Sequence, residues 1–245
     1  MKAFTLTLMA AALALPAMAA PASSIFGISL IGTPGAQSLG VPLQILLLMT
    51  VLTLLPAILM SLTPFLRSIV VLHFLRQALG TQTTPSNQVL VGLALFLALI
   101  VISPVAEQIY HESWQPLESG TITGEQAWDR AQAPIRTFLL RFAREKDIHL
   151  FLELSRGPTP ASPADVPLSA LAPAYVLSEL KTSFQIGAVL FLPFLIIDLV
   201  VSSVTLSVGM VQLPPIMISA PFKILLFVLV DGWNLVVGSL VKSFY

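Results

Sequence analysis

Long apolar runs alternate with shorter polar intervals along this chain. Residues 41–62 and 88–109 form a first pair of apolar runs, and residues 184–206 and 216–241 form a second. Each approaches or exceeds the ~20 residues that a helix needs to cross a hydrocarbon core. Between the first two lies TPFLRSIVVLHFLRQALGTQTTPSNQ. It predicts an amphipathic helix over 64–79, with Thr63 as cap, Pro64 in the first turn and Gly80 as terminator. From residue 110 to 175 the chain turns polar. Within that interval Glu125 to Leu154 reads as helix, with Trp128, Ile135, Phe138, Leu139 and Phe142 on one face and an interruption at Pro134. Burial of that face against a neighbour is expected, because one short apolar face seldom makes a core by itself. RGPTPASPADVP, residues 156–167, is too rich in proline to continue a helix and reads as a linker. Residues 176–245 then form a helical hairpin with its loop at 207–215, and Pro193 and Pro221 predict kinks or breaks in its arms.

The pattern is all-α and of the membrane class: two long helical hairpins, 41–109 and 176–245, plus an outer helical segment, 110–175. Composition agrees, with 56% hydrophobic and 10% charged residues and a mean hydropathy of +0.91, against about 25% charged in an ordinary soluble domain. Residues 1–19 carry Lys2, an apolar run and Ala17-Met18-Ala19, the pattern of a cleaved secretory signal peptide. Residues 20–40 would then form a short periplasmic N-terminal segment. Arg67, His73 and Arg76 place positive charge between the first two runs, which the positive-inside rule assigns to the cytoplasm. Alternation then puts 110–175 outside and the 207–215 loop inside. The formal net charge is zero and no basic tract occurs, so no nucleic-acid partner is indicated.

Three ionisable residues lie deep in the C-terminal hairpin: Asp198, Lys223 and Asp231. A charge at membrane depth costs ~2.5–3.5 kcal/mol on insertion scales, so each is expected to face protein, water or an opposite charge. Folding the hairpin about Met210/Val211 sets Asp198 twelve residues before the turn and Lys223 twelve after it. This predicts an ion pair across the hairpin, and the same register matches Glu179 with Lys242 near its open end. Asp231 falls opposite Leu190 and is expected to make a buried polar contact with Trp233, a neighbouring helix or another subunit. Gly209, Pro214 and Pro215 set the geometry of an uncharged loop, SVGMVQLPP.

Catalytic constellations do not emerge. No Gly-rich phosphate loop ends in Lys-Ser/Thr, and no serine sits in a nucleophile elbow. His73, His111 and His149 lack helical metal-site spacing, and cysteine is absent. No enzyme, metal or cofactor is expected. The rival class is an ion or small-solute transporter that binds its coupling ion at Asp198 and Asp231.

Three stretches change this picture: FLRSIVVLHFLRQALGTQTTPSNQVLVGLALFL, ELKTSFQIGAVLFLPFLIIDLVVSSV and LPPIMISAPFKILLFVLVDGWNLVVGSL. Together they resemble the FliP family of flagellar biosynthetic proteins and its injectisome relatives. The signal peptide and the sizeable outer segment favour the flagellar branch. The resemblance implies a non-enzymatic core subunit of the flagellar type III export gate, in the bacterial inner membrane at the basal body, with a periplasmic portion. It also implies a homo-oligomer, a pentamer in the family, which joins FliQ, FliR and other membrane proteins of the export apparatus in a helical, pore-like assembly. Unfolded flagellar subunits would pass through it. In such an assembly the hairpins are raised toward the periplasm instead of lying as ordinary spans. The family's loop carries consecutive methionines that narrow the pore, a use suited to soft, unbranched side chains. Here Met210 inherits that position, whereas Val211 and Gln212 depart from the family pattern. The resemblance thus assigns Met210, Val211 and Gln212 to the pore constriction, where a charge would hold water in a seal meant to exclude it.

Overall fold

The computed structural model describes residues 41–155, 160, 162–209 and 214–245. The expected signal peptide, the 20–40 segment, part of the proline-rich linker and Met210, Val211 and Gln212 lie outside the described residues. Helix α1 spans Val41–Ser61, and the chain divides within it into two units, Met1–Thr53 and Leu54–Tyr245. Of the first unit only the helix from Val41 is described. The second unit holds all the remaining elements.

Helix α2 covers Phe65–Ala78 and α3 covers Asn87–Ile109. Helix α3 does not stop where its apolar run stops. A π turn at Tyr110–Trp114 carries it into α4, Gln115–Glu118, as one helix of 32 residues. Helices α5, Gly124–Phe142, and α6, Glu145–Ser155, make up most of the outer segment. A 3-10 turn at Pro163–Asp165 precedes α7, Leu168–Ser207, which is 40 residues long. Helices α8, Pro215–Leu229, and α9, Gly232–Lys242, complete the chain. Among the described residues there is no strand. Among the described residues two helices, Asn87–Glu118 and Leu168–Ser207, are long and apolar enough to cross a membrane, or up to four spans if each bent pair counts as one.

Several boundaries differ from the sequence expectations, each for a local reason. Thr63 does not cap α2: Pro64 holds the N-cap position, and the Thr63 hydroxyl donates back to the Met60 carbonyl. Pro134 sits buried inside α5 without interrupting it. The interruption comes at Ala143, whose extended ψ of 131° ends a helix that a capping box of Thr123 and Gln126 begins. Pro193 and Pro221 also lie within continuous helix. The break in the last arm falls instead at Asp231, in the left-handed conformation (φ 51°, ψ 50°), and α8 and α9 are bent there by 68°. Aspartate is among the few non-glycine residues that adopt this conformation routinely. Gly232 follows because a Cβ there would overlap the Phe227 ring.

Helix α2 is the centre of the packing, not a surface amphipathic helix. Between Phe65 and Ala78 only Gln77 is exposed. Leu72, Leu75 and Ala78 pack with Leu90 and Ala94 of α3, Phe194 of α7 and Phe227 of α8. Val71 joins Leu97 and Leu240 in a second cluster. Gly187 lets α7 come close to α2, since a Cβ there would meet the Phe74 ring at 2.6 Å. A third cluster lies under the outer segment, where Phe138 and Leu139 pack on Leu171 and Tyr175. The face expected to await a neighbour is therefore covered in part by the chain's own α7, with Trp128 left exposed.

Helix α7 would be about 60 Å long at 1.5 Å per residue. Only its first half is well covered. From Val189 onward its large apolar side chains are mostly exposed, as are many of α8, including Leu229 at 73%. A soluble monomer rarely exposes so continuous an apolar surface, and these faces require lipid or protein around them.

Candidate functional site: two buried ionic clamps at the ends of one helix

Ionisable residues form two clusters, one at each end of α2, and the first brings together two of the three that the sequence placed at membrane depth, Asp198 and Lys223. At the C-terminal end of α2, the Lys223 ammonium donates to Asp198 Oδ2 at 2.6 Å and to the Ala78 carbonyl at 3.0 Å. The Ser219 hydroxyl donates to the other carboxylate oxygen of Asp198 at 2.5 Å. Lys223 is 3% exposed. Its charge thus answers two needs. It neutralises Asp198 across the α7/α8 hairpin, and it satisfies one of the carbonyls left without an intrahelical partner at the end of α2, where the helix dipole is negative.

The second cluster corrects the sequence-based pairing. Glu179 does not meet Lys242, which is exposed. Its carboxylate accepts from Arg67 Nε at 2.8 Å and Nη2 at 2.5 Å, and the side chains of Arg67 and Glu179 are 4% and 0% exposed. Arg67 Nη1 donates to both the carbonyl and the hydroxyl of Ser243, each at 2.9 Å. The guanidinium lies 3.8 Å from the centroid of the Phe244 ring and 5.3 Å from that of Phe142. The hairpin register alone missed this because the partner comes from α2, outside the hairpin. A planar guanidinium also matches a buried carboxylate in two parallel bonds, which a single ammonium cannot do.

Of the contacts expected for Asp231, the one with Trp233 is not made. The residue is exposed at the α8/α9 break and makes no side-chain cap bond. Trp233 packs its ring on Phe227 instead, with centroids 5.4 Å apart. Gly209 takes the positive φ of 79° that ends α7, and its N–H donates to the Leu206 carbonyl. Pro214 and Pro215 open α8 as N-cap and first residue, where proline loses no helical hydrogen bond.

A smaller polar junction, not anticipated from sequence, fastens the outer segment to α7. Ser178 accepts from the Arg144 N–H at 2.9 Å and donates to Asp147 at 2.6 Å, so the interruption between α5 and α6 closes on one buried hydroxyl. Arg144 also reaches Gln185 at 2.7 Å. The residues missed, Arg67, Ser178, Ser219 and Ser243, share one property: each is short or lies in another segment, so no sequence spacing pairs it with its partner. Among the described residues no group of three His, Cys, Asp or Glu side chains is placed to hold a metal ion.

Fold and site together define a helical membrane protein whose buried ion pairs, Arg67 with Glu179 and Lys223 with Asp198, fix helices against one another. Sequence comparison specifies the kind. The FliP family profile matches residues 48–240, and the chain belongs to the FliP family. A flagellar biosynthetic protein FliP of Pectobacterium carotovorum subsp. carotovorum is 53% identical over 211 residues, covering 86% of this chain and 82% of the relative. The Bacillus subtilis (strain 168) protein of the same name is 46% identical, with 89% of this chain and 98% of the relative covered. That of Caulobacter vibrioides is 47% identical over 97% of this chain and 88% of its own.

Proposed function

We propose that the chain is a core subunit of the flagellar type III protein export gate, a structural component and not an enzyme. Several copies, five by the family's pattern, join FliQ, FliR and other membrane proteins of the apparatus around a passage for unfolded flagellar subunits. The assembly belongs to the bacterial inner membrane at the basal body, with the 110–175 segment on the periplasmic side. The observation that carries this reading is the combination of a rigidly pinned centre with unpartnered arms. Helix α2 is held at both ends by buried ionic clusters, while the distal halves of the α7/α8 hairpin expose their apolar side chains. Such arms gain stability only when neighbours or lipid cover them.

In this reading the hairpin presents Met210, Val211 and Gln212 at the constriction, on an uncharged turn set by Gly209 and the Pro214-Pro215 pair. Asp198 and Lys223 keep the two arms in register so that the turn stays at a fixed height. That Asp198 is saturated by Lys223 and Ser219 supports a fixing role over ion conduction. Deleting residues 209–212 tests the constriction. The expected result is an assembled complex that leaks small ions across the inner membrane with little selectivity, read by membrane-potential dye in cells. Assembly at the normal level without any leak would remove the constriction from the proposal.

A further inference from the structure

The Asp231 carboxylate has neither an ion pair nor a hydrogen bond among the described residues. The stretch around it is largely apolar and open: Val228, Leu229, Val230 and Leu235 are 65, 73, 50 and 59% exposed, and Asn234 is its exposed polar neighbour. A carboxylate set in apolar surface that must be covered needs a cation or donor from whatever covers it.

A matching group exists elsewhere on the chain. His73, Arg76 and Gln77 of α2, with Gly80, Thr81 and Gln82, line a polar hollow of about 400 Å³ that continues along Ile69 and Phe74. Its lining comes from α2 and the loop that follows, and it borders the hairpin, since Phe74 packs on Phe184 and Phe191 of α7 and Gly80 faces Ala220 of α8. Arg76 uses Nη1 for Asn87 at 2.6 Å and the Pro85 carbonyl at 3.3 Å. Its Nε and Nη2 have no partner among the described residues. His73 donates through Nδ1 to the Ile69 carbonyl at 2.8 Å, which leaves Nε2 for a ligand.

The order of contacts along α2 also relates the two features. Reading along α2, Arg67 meets Ser243, Val71 packs with Leu240, Leu72 and Leu75 cluster with Val236 and Phe227, and the Ala78 carbonyl meets Lys223. The last arm therefore follows α2 in the antiparallel sense, with the 68° bend between α8 and α9 falling at Asp231. In the chain Asp231 lies between Lys223 and Leu240, whose contacts are with Ala78 and Val71, so it falls within the stretch of α2 that carries His73 and Arg76. An unpaired carboxylate and a partly unpaired guanidinium at separate places on one chain are complementary groups of the kind that a head-to-tail ring interface joins. We propose that Asp231 of one copy docks into the His73/Arg76 hollow of the next copy, so that each subunit covers its neighbour's unpaired charge. The inference rests on the homo-oligomer proposed above.

The chain has no cysteine, which permits a clean test in the full-length protein. Two differently tagged copies are co-expressed, one with Asp231→Cys and one with Gln77→Cys, and membranes are treated with a short bis-maleimide. The expected product is a dimer carrying both tags, absent when either variant is expressed alone. An oligomer of normal size on native gels with no doubly tagged product would overturn this docking while leaving the oligomer reading intact. Dimers from Asp231→Cys alone would also overturn it, since they require a two-fold contact. Loss of any oligomer, including from the cysteine-free parent, would overturn both readings.

Discussion

Replacing Arg67 by Met leaves Glu179, whose side chain is fully buried, without its cation and without both guanidinium bonds. The change also removes the two bonds to Ser243 and the stacking on Phe244. Removing one partner of a buried pair costs about 3–5 kcal/mol, chiefly because a charge is stranded. The upper half of that range applies, given two parallel bonds and near-complete burial on both sides. With a shift of about 2–4 °C per kcal/mol for a chain of this size, the melting temperature should fall by roughly 8–20 °C. The diagnostic variant is Arg67→Met with Glu179→Leu, which strands no charge and keeps apolar volume. It should recover at least half of the loss, because hydrophobic replacement of a buried pair is often near neutral. The assay is thermal unfolding of the purified chain in one detergent, followed by circular dichroism at a fixed scan rate. A single-variant shift under about 2 °C, or a double variant less stable than the single, would refute the stranded-charge reasoning for this cluster.

Other substitutions report on the remaining contacts. Lys223→Met should cost less than Arg67→Met, about 2–4 kcal/mol, because Asp198 is 28% exposed and keeps Ser219; the same melts give the ranking. Gly187→Ala places a methyl 2.6 Å from the Phe74 ring and should destabilise by about 1–3 kcal/mol, with Phe74→Leu restoring most of the loss in the paired variant. Ser178→Ala orphans the Arg144 N–H and Asp147 at once. It should cost about 1–3 kcal/mol and raise the rate of proteolytic cleavage between Ala143 and Asp147 without changing cleavage elsewhere.

How far the structure was legible in the sequence depends on the range of each interaction. The apolar runs announce the helices, because a membrane-class helix must be apolar over its whole length. The Asp198/Lys223 contact is legible because one tight turn joins its two arms, so that counting residues from the turn gives their depth. The same counting fails for Glu179. It lies some thirty residues from the turn, where a helix from another segment competes, and Arg67 offers the better geometry. Proline is a poor guide to helix ends in this chain. Pro134, Pro193 and Pro221 are all accommodated inside helices, and the breaks fall at Ala143 and Asp231, marked only by backbone conformation. Small residues four apart permit close helix contact, and Ala94 and Ala98 of α3 are both buried. Ser203 and Ser207 of α7 have the same spacing, yet they donate to carbonyls of their own helix and are exposed. Residue size predicts what contact is permitted and leaves open which contact is made.

That this chain builds a passage for flagellar proteins is tested most directly by secretion. Hook and filament protein would be quantified in the medium of a strain lacking the gene, with and without a restored copy, alongside secretion of virulence effectors where the strain has them. Flagellar secretion should disappear, return with the gene, and leave effector secretion unchanged. Hook and filament protein exported at normal levels without the gene would contradict the export-gate role.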